Sequence, residues 1–268
     1  NVALRGGAGM MTLRDGGTGS AITVNGNGRT VTLRADDLDI RALLQAPGGT
    51  FNILTEKLGR AIRLGGTGTG TLALTSAEIA RIGGGGPTLN APAAARLRIG
   101  SDGTLRTAGD IVVAGDVRLR DGATVRVGTL ELVAGRPGTA GGSVRQTAGS
   151  VDVATVTGTA QGDFRLGLAG NAFDTATGIA AGTLPRAGAT GVVELATTGA
   201  LAASAITAPV SIRLTAGAGL SAGGITAPAI LLQGGSVTLT DLIQGSTSVA
   251  IESAGAVTQQ AGALIITG

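Results

Sequence analysis

The chain has 268 residues, a net charge of +3, 49 glycines and no Cys, His, Trp or Tyr; its aromatics are Phe51, Phe164 and Phe173. Without imidazole or thiolate, the His- and Cys-based nucleophiles, acid–base pairs and ordinary zinc sites are excluded, whereas enzymes built on carboxylates remain open. An apolar fraction of 43% is too high for a disordered glycine-rich tract, and the scarcity of aromatics predicts a thin core of Ala, Val, Leu and Ile.

Apolar doublets with one residue between them run along the whole chain, the pattern of strands with one buried face. At the N-terminus Met11/Leu13, Val31/Leu33, Phe51/Ile53 and Leu72/Leu74 step by 20, 20 and 21 residues. Val2/Leu4, Ile22/Val24, Ala42/Leu44 and Ile62/Leu64 form a second series. A short helical turn is expected over Ser76–Ile82 with Ser76 as its cap, and the run 83–95 breaks the pattern. In the middle, Leu97/Ile99 lead to Val117/Leu119 and Leu105 to Val125, each at 20 residues, and Ile111/Val113 to Leu130/Leu132 at 19. The stretch 158–186 shows no clean repeat and reads as a second excursion. Toward the C-terminus Val193/Leu195, Ile212/Leu214, Ile230/Leu232 and Val249/Ile251 resume the beat, and Ile206-Thr207-Ala208-Pro209 recurs as Ile225-Thr226-Ala227-Pro228.

Glycine pairs such as Gly65-Gly66 and Gly234-Gly235 punctuate the doublets and supply tight corners. A unit of about 20 residues cannot bury its apolar face alone, so successive units must stack in parallel. The predicted fold is all-β: a right-handed parallel β-helix, or β-solenoid, of about 19–20 residues per coil and roughly 13 coils, forming one continuous segment over 1–268. No run is long and apolar enough for a membrane helix, and the mild charge without stacking aromatics gives no nucleic-acid surface.

Several segments resemble the repeat region of filamentous-haemagglutinin-like exoproteins. These are Leu33-Arg34-Ala35-Asp36-Asp37-Leu38-Asp39-Ile40, Gly59-Arg60-Ala61-Ile62-Arg63-Leu64-Gly65, Leu72-Ala73-Leu74-Thr75-Ser76-Ala77-Glu78-Ile79, Leu97-Arg98-Ile99-Gly100, and Gly255-Ala256-Val257-Thr258-Gln259 followed by Gly262-Ala263-Leu264. The resemblance implies a right-handed β-helix, two-partner secretion through an outer-membrane transporter, and a bacterial cell-surface role in adhesion, filament formation or biofilm. It brings no catalytic residues and no cofactor. It also suggests an interior portion of a longer chain, or a subunit that stacks head to tail.

Three residue sets carry candidate chemistry. Asp36, Asp37 and Asp39 offer oxygen donors to Ca²⁺, although the Gly-Gly-x-Gly-x-Asp repeat of calcium-binding rolls is missing, so a polar corner is the preferred reading and no metal is expected. On the 20-residue register Arg98 lies over Arg118 and Arg106 over Arg126, an outward basic face that would suit anionic glycans, weighed against a solvated face neutralised by neighbouring acids. Asp110, Asp116 and Glu131 are the acids that a rival pectate-lyase-like, polysaccharide-active β-helix would use, yet no acid recurs at a fixed offset. Thr-x-Thr runs at 67–71, 155–159 and 238–240 also resemble the flat arrays of ice-binding solenoids but do not recur in each unit.

Overall fold

The structure is a computed structural model that describes residues 1–14, 21–24, 28–83, 94–101, 108–135, 142–182, 191–263 and 265–267. Among these, strands dominate from Val2–Leu13 to Ile265–Thr267, and the one helix is the four-residue turn Ser76–Ile79. Among the described residues all strand pairs are parallel except the small hairpin Arg120–Asp121 against Thr124–Val125. The chain is a parallel β-solenoid.

Each coil presents three faces. Along the first, Val2, Val31, Phe51, Leu97, Leu130, Val156, Ala176, Ala203 and Ala222 stack as direct register partners. Along the second run Ile62, Ile111, Val144, Phe164, Val193, Ile212, Ile230 and Val249. The third includes Ile22, Leu44 and Ile82 near the N-terminus; toward the C-terminus Leu201, Leu220, Val237 and Val257 stack on the same strand runs as Ala203 and Ala222, and the remaining face there is Ile206, Ile225 and Ile243. Because side chains alternate across a strand, the doublets of the inner coils send both apolar members inward into one contiguous cluster, while Val2, Leu4 and Val257 in the coils toward the two ends are exposed.

Packing is balanced within coils. The coil that puts Ala176 on the first face carries Phe173 on the same strand and Phe164 on the second face, all fully buried. Two large rings therefore fill the width that a small side chain leaves, as a close-packed interior requires. This coil lies inside the stretch 158–186, where the sequence suggested an excursion. Instead Val151–Ala160, Phe164–Leu166 and Ala172–Ala181 are strands paired in parallel with their neighbours, with one register shift between Val156 and Gly158. Their repeat is hard to read because Phe and Ala replace the usual aliphatic doublets. Residues 183–190 lie outside the described residues, as does most of the other suggested excursion, 84–93.

The coil length is uneven, so an unbroken 20-residue beat overcounts the coils. Val31 stacks on Phe51 at 20 residues, but Phe51 meets Leu97 at 46 and Leu97 meets Leu130 at 33. One cause is an added strand. Leu72–Leu74 pairs in parallel with Ile62–Leu64 across a linker of only seven residues, 65–71. Parallel crossovers usually need a dozen residues or more. The linker, Gly65-Gly66-Thr67-Gly68-Thr69-Gly70-Thr71, turns that sharply with Gly65 and Gly70 at φ +76° and +73°. A Cβ on Gly115 would lie 2.0 Å from the Gly65 carbonyl oxygen, so this corner stacks only because both residues lack side chains.

After the added strand comes the helical turn, capped one residue earlier than the sequence suggested. Thr75 is the N-cap: its hydroxyl accepts from the Glu78 N–H, and the Glu78 carboxylate accepts from the Thr75 N–H, a reciprocal capping box.

Candidate functional site

The predicted arginine face is not assembled. Arg98 projects from the first face between its register partners Asn52 and Glu131, and its Nε donates to Glu131 Oε2 at 2.8 Å. Arg96 Nη1 donates to the same oxygen at 3.0 Å. Arg118 stands on a different face beside Asp152, with Nη2 donating to Asp116 Oδ2 at 2.9 Å. Arg126 donates to the Ala80 and Arg118 carbonyls, and burial lowers its pKa. Arg106 lies outside the described residues. The expected stack assumed a 20-residue step, whereas the coil holding Arg98 takes 33 residues and includes the 120–125 hairpin.

The acids are likewise turned onto the protein. Asp36 Oδ1 accepts from the Lys57 N–H at 2.9 Å, and its other oxygen faces Arg60 at 3.7 Å. Asp37 accepts from the next backbone N–H, and Asp39 accepts from Arg41 Nε at 2.8 Å, which holds Asp39 below the usual carboxylate range. The three do not converge, and no cluster of acids among the described residues is arranged to hold a metal. Asp110 Oδ1 accepts from the Ser143 N–H at 2.8 Å, Glu131 takes Arg96 and Arg98, and Asp116 Oδ1 accepts from both the hydroxyl and the N–H of Ser150. The Ser150 hydroxyl is the main reason the Asp116 pKa is depressed.

These contacts belong to ladders that the sequence reading missed. Asp110 accepts from the Ser143 N–H, the Ser143 hydroxyl accepts from the Asp163 N–H, and Asp163 accepts from the Val192 N–H. Each link joins one corner to the equivalent corner of the next coil. The signal is a short polar residue directly before an inward apolar one: Asp110-Ile111, Ser143-Val144, Asp163-Phe164, Asp116-Val117 and Ser150-Val151. At a neighbouring corner the fully buried Asn171 is paired with Gln146 through both amide groups, and it also accepts from the Val151 N–H and donates to the Leu166 and Ala196 carbonyls. Such side chains satisfy backbone groups that strand ladders leave open at corners.

Comparisons with protein-family models, curated proteins and solved structures gave no significant match. Among the described residues no helix is long and apolar enough to cross a membrane.

The threonine runs do not form one array. Thr67, Thr69 and Thr71 lie in the linker, and Thr155 and Thr159 stack on Thr129 and Val133. Thr238 lies between Ser221 and Thr258, its hydroxyl 3.0 Å from that of Thr258.

One open depression combines charge with small residues. A groove of about 520 Å³ runs along the corner that follows the second face in three successive coils. Gly167, Ala169, Ala196 and Gly217 line it beside Glu194, Thr198, Arg213 and Thr215. Its outer wall is a mixed ladder. Arg165 lies 3.5 Å from Glu194, Glu194 is the register partner of Arg213, and Arg213 donates to Gln233 Oε1 at 3.0 Å.

Proposed function

We propose that this chain is an extracellular structural and adhesive β-solenoid, a stalk or filament segment on the bacterial surface, without enzymatic activity. The observation that carries the reading is the use of its polar side chains. The acids that the rival lyase-like mechanism needs, Asp110, Asp116 and Glu131, accept hydrogen bonds from neighbouring coils instead of converging on open space. Side chains spent between coils favour a long rod whose job is to hold distance and stay folded. The resemblance of the Leu33–Ile40, Leu97–Gly100 and Gly255–Leu264 segments to filamentous-haemagglutinin-like exoproteins supplies the surface role, the outer-membrane transporter and the biofilm association.

Protease shaving of intact cells, with detection by an antibody to this segment, tests the location. Release of the segment from the surface is the expected result, and retention in the cytoplasm after shaving would overturn the reading. Uronate release from pectin or alginate by the purified chain would overturn the non-enzymatic half.

A further inference from the structure

We infer that Thr215 and Gln233 join as an ester between adjacent coils, a self-made cross-link that releases ammonia in a single turnover. The inference goes beyond the structural role and stands on four side chains. Thr215, Gln233 and Glu252 are successive register partners on the strands Ser211–Ala216, Gly219–Gly234 and Ile243–Ser253. The Gln233 carbonyl oxygen accepts from Arg213 Nε at 3.2 Å, from Arg213 Nη2 at 3.0 Å and from the Thr215 hydroxyl at 3.1 Å. Its amide nitrogen donates to Glu252 Oε2. A guanidinium can only donate and a carboxylate can only accept, so this orientation of the amide is the one that satisfies both. Arg213 is left for the role because Glu194, its register partner in the preceding coil, faces Arg165.

Each group suits one part of an acyl transfer. Arg213 aims two N–H donors at the oxygen where negative charge develops as the carbonyl carbon is attacked, as an oxyanion hole does. Thr215 supplies the nucleophile, and parallel pairing of the two strands holds it beside that carbonyl. Glu252 holds the nitrogen and stabilises the positive charge it gains on leaving. The bond from Thr215 Oγ1 to Gln233 Cδ forms and the Cδ–Nε2 bond breaks. The hydroxyl proton passes to the carbonyl oxygen it already faces, then through solvent and the Glu252 carboxylate to the nitrogen, and ammonia departs. Nothing is oxidised or reduced. Thr215 and Gln233 are half-buried, which limits water as a competing nucleophile. The alternative is a plain polar ladder like those at the corners, and it predicts an intact amide.

Intact-mass measurement of the folded chain during incubation at neutral pH, with tandem mass spectrometry of an elastase digest, tests this. The expected result is loss of one ammonia and a peptide containing Thr215 joined to one containing Gln233. Hydroxylamine, which cleaves esters and spares amides, should separate the two. Thr215→Val should keep the full mass, and Thr215→Ser should still form the cross-link. Arg213→Gln and Glu252→Gln are each expected to slow its formation about tenfold or more, with melting temperatures confirming that each variant is folded. The inference is overturned if Thr215 and Gln233 stay unjoined after prolonged incubation, if Gln233 is converted to Glu instead, or if the ammonia loss persists in Thr215→Val. None of these results bears on cell-surface location, so a failure here and a failure of the stalk reading are separable.

Discussion

Ala205 has a backbone conformation that few alanines adopt, with φ at +52°. It belongs to a column: Gly178 at +61° and Gly224 at +64° directly precede Ile179 and Ile225, the register partners of Ile206. The same kink thus passes through three coils, with glycine at two of them and alanine at the third. Left-handed backbone costs a residue with a Cβ about 1–2 kcal/mol. Glycine at the site gives back about 0.4–1 kcal/mol through a freer unfolded chain. The strain is the larger effect, so Ala205→Gly is expected to stabilise by about 0.5–1 kcal/mol, read as a higher denaturant midpoint at unchanged slope. Gly178→Ala should move the midpoint the other way, since its new Cβ would also lie 3.3 Å from Thr157 Oγ1.

At the scale of strands and corners, the polar ladders fix which residue meets which. Asn171 has no exposure and satisfies both backbone groups and the Gln146 amide. Truncation to Ala would leave several buried donors and acceptors unpaired, each costing about 1–3 kcal/mol. Asn171→Ala is therefore expected to lose roughly 3 kcal/mol or more in equilibrium denaturation. A loss below about 1 kcal/mol would mean that the corner rearranges and the ladder does not set register. The strands themselves were legible in the doublets, and the C-terminal register was legible too: Ile206 meets Ile225, and Val193, Ile212, Ile230 and Val249 stack as their spacing suggested. The middle register was not. Leu97 stacks on Leu130 instead of Val117, and Ile111 on Val144 instead of Leu130. Doublets on all three faces carry the same chemistry, so a fixed 20-residue step passes from one face to another wherever a coil lengthens. The basic face predicted from Arg98 and Arg118 failed for that reason. The groove at Glu194 and Arg213 escaped notice because its floor is made of small residues, which look like any other corner in the sequence.

For the whole molecule, stacking in one dimension makes each coil's stability depend on its two neighbours. Phe164 tests this because it is fully buried between Val144 and Val193, in the coil where Ala176 leaves room for it. Removing the ring opens a cavity that the flanking valines cannot fill, and Phe→Ala in a core costs about 3–5 kcal/mol. In a globule with one three-dimensional core that loss would lower protection everywhere. In a solenoid it should be confined to the mutated coil and its neighbours. Amide hydrogen exchange of Phe164→Ala is expected to lose protection over Val144–Ala148, Phe164–Leu166 and Val192–Thr197. Protection in Gly219–Gly234 and Ser236–Leu239, at least two coils away, should stay near its original level. A uniform loss along the rod would show that the coils fold as one cooperative unit and that nearest-neighbour stacking does not govern their stability.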